Sequence, residues 1–157
     1  MELVTGENNP LLRQKSKPVE NFSKEVYSLI EKMKKVILKY NALGLAAVQI
    51  GIPLRVIVCR LNDEFKVFIN PEILKYSKQT DILEEGCLSL PYYYGKVERP
   101  KIIVLKALNE EGKKIKLKAF GLLSRVIQHE VDHLEGILFI DKAKNIIKDT
   151  NRTDEKV

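Results

Sequence analysis

Tryptophan is absent from this 157-residue chain, and cysteine and histidine occur only twice each. Without tryptophan, and with no run of aromatics between basic flanks, nothing reads as a stacking platform for single-stranded nucleic acid. Cys59 and Cys87 lie far apart, which argues against a disulfide framework and for a reducing compartment. No apolar run approaches the roughly 20 residues that span a bilayer, so no membrane helix is expected. The opening Met1-Glu2-Leu3-Val4-Thr5-Gly6-Glu7 lacks a basic region followed by an apolar core, and a cytoplasmic location is the expectation.

What is present suits one compact domain. Hydrophobic residues make up 45% of the chain, enough for a sizeable core. A catalytic or binding domain over residues 1–140 is expected, followed by a short polar tail, 141–157, with five basic and four acidic side chains, that frays. The 27 Lys and Arg against 21 Asp and Glu leave a net +6, which favours polyanionic surroundings. The lysines are scattered, so a solvated basic surface is expected and specific DNA binding is not.

Periodicity supplies the elements. Asn9 caps a short turn that opens on Pro10. Val26, Leu29, Ile30, Met33, Val36, Ile37 and Tyr40 form the apolar stripe of a long helix, with Ser23 at its N-cap and Phe22 stapled to Tyr27. Strand-like runs follow at Leu54–Arg60, Lys66–Asn70 and Glu72–Tyr76, then a polar stretch leading to Cys87. Tyr92-Tyr93-Tyr94-Gly95 reads as a loop or strand margin. Ile102–Leu108 and Lys114–Ala119 flank a hairpin signal at Asn109-Glu110-Glu111-Gly112. A second helix runs from about Gly121 to Glu135, closed by Gly136. A helix, a block of strands and a second helix describe an α+β fold.

Both histidines fall within Gln128-His129-Glu130-Val131-Asp132-His133. On a helix, residues i and i+4 share a face, so the two imidazoles can grip one ion while Glu130, one position round, reaches water held there. Leu122, Val126, His129 and His133 follow the spacing of a single face, which carries the histidines inward. Two buried, unpaired imidazoles would each cost on the order of 1–3 kcal/mol, which a metal ion would offset. A hydrolytic centre also needs a third protein ligand and an open fourth position. Cys87 is the candidate, in Glu84-Glu85-Gly86-Cys87-Leu88-Ser89-Leu90-Pro91, where Gly86 permits close backbone approach. Cys59, within Val56-Ile57-Val58-Cys59, fits a core strand instead. Two nitrogens and a thiolate suit Zn²⁺, Fe²⁺, Co²⁺ or Ni²⁺ alike. A third unusual segment, Leu43-Gly44-Leu45-Ala46-Ala47-Val48-Gln49-Ile50-Gly51, combines small residues with one amide.

Taken in order, these three segments resemble the motifs of the peptide deformylases. Gly44 to Gln49 match GxGLAAxQ, Glu85 to Ser89 match EGCLS, and Gln128 to Gly136 match QHExDHLxG. Two positions depart from the pattern: Ala42 stands at its first glycine, and Tyr92 where a glycine commonly follows the proline after EGCLS.

The resemblance implies a fold of antiparallel strands around a central HExxH helix, with an N-terminal helix. It further implies removal of the formyl group from the formyl-methionine of new polypeptides, with Fe²⁺ held by Cys87, His129 and His133. Zn²⁺, Ni²⁺ or Co²⁺ could take its place in purified protein. Glu130 would carry the proton, while the Gln49 amide and the Leu88 backbone N–H meet the developing oxyanion. Leu43, Leu83, Leu122 and Val126 would line the methionine pocket, and Gly44 and Gly86 would leave room for the substrate backbone to add as a strand. Glu85 would pair with Arg99. The partners implied are formyl-methionyl nascent peptides and, transiently, the ribosome. Two competing readings are a zinc endopeptidase, which shares HExxH but lacks a downstream third ligand here, and a ribosome- or RNA-binding module with a structural metal. Structural zinc takes four protein ligands, and only three are on offer.

Overall fold

A computed structural model describes residues 3–152. The chain opens with a short helix, α1 (Pro10–Arg13), whose first turn is capped as expected: Asn9 Oδ1 accepts from the Leu11 N–H at 3.0 Å. The long helix α2 (Lys24–Tyr40) follows an extended Ser23, and the Phe22 and Tyr27 rings stand 6.4 Å apart. Its apolar stripe is buried through Ile37, whereas Tyr40 at its end is exposed. Asn41 stops the helix in the left-handed conformation at φ 51°, returning its N–H to the Ile37 and Leu38 carbonyls.

Two antiparallel sheets follow. The larger contains β1 (Gly44–Ala46), β2 (Val56–Leu61), β3 (Glu64–Tyr76), β6 (Ile102–Leu108) and β7 (Lys114–Phe120), in the order β1-β2-β3-β6-β7. The smaller contains β4 (Thr80–Cys87), β5 (Leu90–Pro100) and β8 (Lys144–Lys148), in that order. The third helix, α3 (Gly121–Leu134), packs on the larger sheet and on β5.

The continuous apolar run of β2 follows from cover on both faces. Val56 and Val58 pack with the α2 stripe, while Ile57 and Cys59 pack with Val126 and Ile127 of α3. β3 divides in the same way, Val67 and Ile69 to one side and Phe68 to the other. A third cluster joins Leu12, Cys87, Leu90, Val97, Leu138 and Phe139, closing the smaller sheet against the turn after α3. Cys59 is thus a core residue.

Four local expectations change. The runs either side of Asn70-Pro71 are one strand interrupted by bulges, because Asn70 takes φ 51° and its side chain pairs with both backbone groups of Val19. The polar stretch before Cys87 is β4, paired residue for residue with β5, and Tyr92–Gly95 lies inside β5. The tail does not fray where it is described. Lys144, Ile147 and Lys148 pair with Lys96, Tyr94 and Tyr93 of β5, covering the bare backbone at Gly95.

Candidate metal centre

Cys87 ends β4 and is fully buried; His129 and His133, one turn apart on α3, are buried as well. Ligand atoms of the three lie within 4.8 Å of one another, and Cys87 Sγ is 3.4 Å from His133 Nε2. Sulfur and nitrogen donors on one tetrahedral ion stand about 3.5 Å apart, given bonds of about 2.3 and 2.1 Å. The trio has the spacing of a ligand set.

Its unpartnered atoms point the same way. His129 Nδ1 donates to Glu85 Oε1 at 2.8 Å, which leaves Nε2 buried without a hydrogen-bond partner. His133 Nδ1 and both carboxylate oxygens of Glu130 are equally orphaned, and Glu130 Oε1 is 4.0 Å from His133 Nε2. Each such atom costs about 1–3 kcal/mol if left unmet. Burial raises the Glu130 carboxyl to about 7. Burial opposes charge on His129, yet the Cys87 sulfur and the Glu85 carboxylate beside it win and bring its pKa to about 10. Burial and the neighbouring His129 push His133 well below its usual range. These neighbours favour a cation at the trio, and the donor set fits a metal ion.

Glu85 is the hub behind the candidate ligands. Burial would raise its pKa, but the His129 and Arg99 contacts hold the carboxyl well below the usual range. Arg99 grips it through two nitrogens at 2.6 and 3.0 Å, as expected. Arg125, Asp132 and Ser89 lie outside the sequence expectation. Arg125 also bonds Glu85, Asp132 bonds Arg99 at 3.0 Å, and Ser89 meets Gln49. The legible signal is Arg125, a charge in an apolar stripe one turn before His129.

The remaining candidates converge unevenly. Gln49 is buried in the 3-10 turn after β1; its Oε1 accepts from the Ala46 N–H at 2.9 Å, which turns Nε2 toward Ser89 Oγ at 3.1 Å and Cys87 Sγ at 3.5 Å. Leu88 follows Cys87 in the turn between β4 and β5 and is buried. Val126 is fully buried and Leu43 packs in the same cluster, but Leu83 and Leu122 are half exposed. A Cβ on Gly44 would come within 2.8 Å of Val126 Cγ1 and 2.9 Å of Glu130 Oε2, and one on Gly86 within 2.9 Å of the Tyr94 ring. The space beside each glycine is therefore filled by protein. Ala42 carries no strain, since the left-handed residue is Asn41; Tyr92 does, at φ 72°.

Three candidate ligands, two on a helix and one at a strand end, beside a buried carboxylate and between antiparallel sheets, are the arrangement of a metal-dependent hydrolase. Residues 1–149 match the family described as polypeptide deformylase. The peptide deformylase of Bartonella henselae is 46% identical over 146 residues, covering 90% of this chain and 83% of its own length. That of Carboxydothermus hydrogenoformans is 43% identical over 141 residues, with 89% and 91% covered. Among solved structures, the peptide deformylase of Thermotoga maritima aligns with a TM-score of 0.88 at 38% identity, covering 91% of this chain and 97% of that one. The Acinetobacter baumannii peptide deformylase with Met-Ala-Ser bound aligns at 0.86 and 34% identity, covering 90% and 97%. The chain belongs to the polypeptide deformylase family, the hydrolases that remove the N-formyl group from newly synthesised polypeptides. The endopeptidase and RNA-module readings fall away.

Proposed function

We propose that the chain deformylates the formyl-methionine terminus with Fe²⁺ held by Cys87, His129 and His133. The single observation that carries this reading is the approach of these three ligands to within 4.8 Å of one another, with the orphaned Glu130 carboxylate beside them. The thiolate and two imidazoles would equally accept Zn²⁺, Ni²⁺ or Co²⁺, and the motif resemblance supports iron. The ion would supply Lewis acidity, which brings the ionisation of water toward about pH 7.

Glu130 takes a proton from the attacking water at a carboxylate oxygen and gives it to the amine nitrogen as the C–N bond breaks, releasing formate. Burial, which favours the protonated form of its carboxyl, lets it hold the proton between the two halves of that transfer. The Gln49 Nε2–H and Leu88 N–H donate to the oxygen that gains charge. The anchoring of Gln49 Oε1 on Ala46 supports this, because it fixes the direction of the amide without help from substrate. Leu43, Val126, Leu122 and Leu83 receive the methionine side chain, and the half exposure of the last two suits the mouth of that pocket. The substrate backbone adds alongside Gly44 and Gly86, in β1 and β4, each at the end of its sheet order.

Residues 1–140 form the catalytic unit, which works in the cytoplasm and meets the ribosome transiently. No helix among the described residues is long and apolar enough to cross a membrane. Formate release from formyl-Met-Ala-Ser, with metal analysis of anaerobically purified protein, tests the proposal. Glu130→Gln is expected to keep its metal and lose turnover about 10²–10⁴-fold. Undiminished turnover in that variant would remove Glu130 from the mechanism.

A further inference from the structure

Arg125 is buried on α3 one turn before His129, and no step above uses it. Its Nη1 donates to Glu85 Oε2 at 2.5 Å and to the Val97 carbonyl at 3.0 Å. Its Nη2 donates to the Asp81 carbonyl at 3.0 Å and to Asp81 Oδ1 at 2.8 Å. One guanidinium thus ties α3 to both β4 and β5.

We propose that Arg125 is a positioning residue for the metal centre: by gripping Glu85 from the helix that carries His129, it sets the direction of the His129 Nε2. This inference rests on Cys87, His129 and His133 being the ligands. The two oxygens of Glu85 divide the work. Oε1 receives His129 Nδ1 and one Arg99 nitrogen, whereas Oε2 receives the other Arg99 nitrogen and Arg125. Arg99 lies on β5, next to β4, and its pair with Glu85 holds the carboxylate within its own sheet, while its remaining nitrogen reaches α3 at Asp132, three residues beyond His129. Arg125 and His129 are four residues apart and share a helix face. Their two attachments to one carboxylate fix the His129 turn of α3 against β4; without Arg125, Asp132 and Gln128 still tie the helix to β5, but the imidazole is the one remaining link from α3 to the Glu85 carboxylate.

Charge balance makes this separable from folding. Without Arg125, the buried Glu85 is still paired with Arg99, and Asp81, with a side chain 39% exposed, returns to water. The effect of the substitution therefore falls on ligand direction.

The test uses Co²⁺ as the probe in the full chain: its release rate to a chelator and its thiolate-to-metal absorption. Arg125→Met is expected to release Co²⁺ about 10–100-fold faster than the parent, with a shifted absorption band. Arg125→Lys is expected to fall between, since one ammonium cannot serve Glu85 and Asp81 together. Lys34→Met, which breaks the pairs of this α2 residue with Glu31 and with Glu110 of the β6–β7 turn, controls for general loss of stability. Parental release rates and spectra in both Arg125 variants would overturn the proposal, as would release that simply follows the melting temperature across all three. Should Arg125→Met fail to fold, the same readouts on Arg125→Lys decide. A Co²⁺ spectrum that survives Cys87→Ser would instead overturn the ligand reading.

Discussion

Gly44 shows how little room surrounds the reacting groups. A methyl group there meets Val126 and Glu130 at distances real side chains do not tolerate. Gly44→Ala is expected to cost about 1–3 kcal/mol through overpacking, and to slow turnover by moving Glu130. Urea denaturation beside formate release checks both effects; unchanged turnover would mean Glu130 can yield without loss. Asp141 offers a prediction in pH. Burial would raise its carboxyl, but Arg13 and the Leu138 N–H hold it below the ordinary 3.8. A depressed carboxyl contributes stability that is present above its unfolded pKa and lost as pH falls through the folded value. Asp141→Asn should therefore be less stable than the parent near neutrality, and the gap should close below about pH 4. A gap of equal size at both pH values would show that Asp141 acts through packing or neutral hydrogen bonds.

Among the elements, β8 most changes what truncation should do. A free tail could be removed without effect, whereas Ala143 and Ile146 here pack over Gly95 and the strand hydrogen-bonds β5. Ending the chain at Asn145 is expected to cost about 1–3 kcal/mol in lost burial and hydrogen bonds, while folded protein still turns over short formyl peptides. Comparing urea midpoints and turnover checks this; an unchanged midpoint would restore the free tail. The same strand marks where sequence stops being informative. Lys144 to Lys148 are exposed and their two isoleucines are adjacent rather than alternating, so no periodicity announces a strand that forms on the open edge of β5. α2 and α3 were legible because one face of each is apolar, and the ligand trio because its residue types leave few other uses. Glu85 could be paired with Arg99 by resemblance, but its second grip by Arg125 depends on how α3 lies against β4. The crowding of Gly44 by Val126 and Glu130 depends on the same docking of α3 and was not legible either.

At the scale of the whole molecule, the centre is a knot between distant parts of the chain. The N-terminal segment straps two of them, with the Val4 N–H on the Gln49 carbonyl and the Gly6 N–H on that of Ser89. An ion held between β4 and α3 by the proposed ligands would stabilise the folded state by mass action, and a thiolate ligand makes an iron centre oxidisable. The Fe²⁺ form is expected to lose activity in air faster than the Ni²⁺ form, with similar initial chemistry. Equal half-lives in air would count against an oxidisable iron–thiolate centre. The spacing of the ligands along the chain also has a history during translation. Cys87 is made 46 residues before His133, and its thiol emerges before any imidazole exists to share an ion with it. Until α3 is complete and docked, the sulfur proposed to hold the ion is an ordinary reactive cysteine. The most vulnerable moment of this metal site comes before there is a metal site.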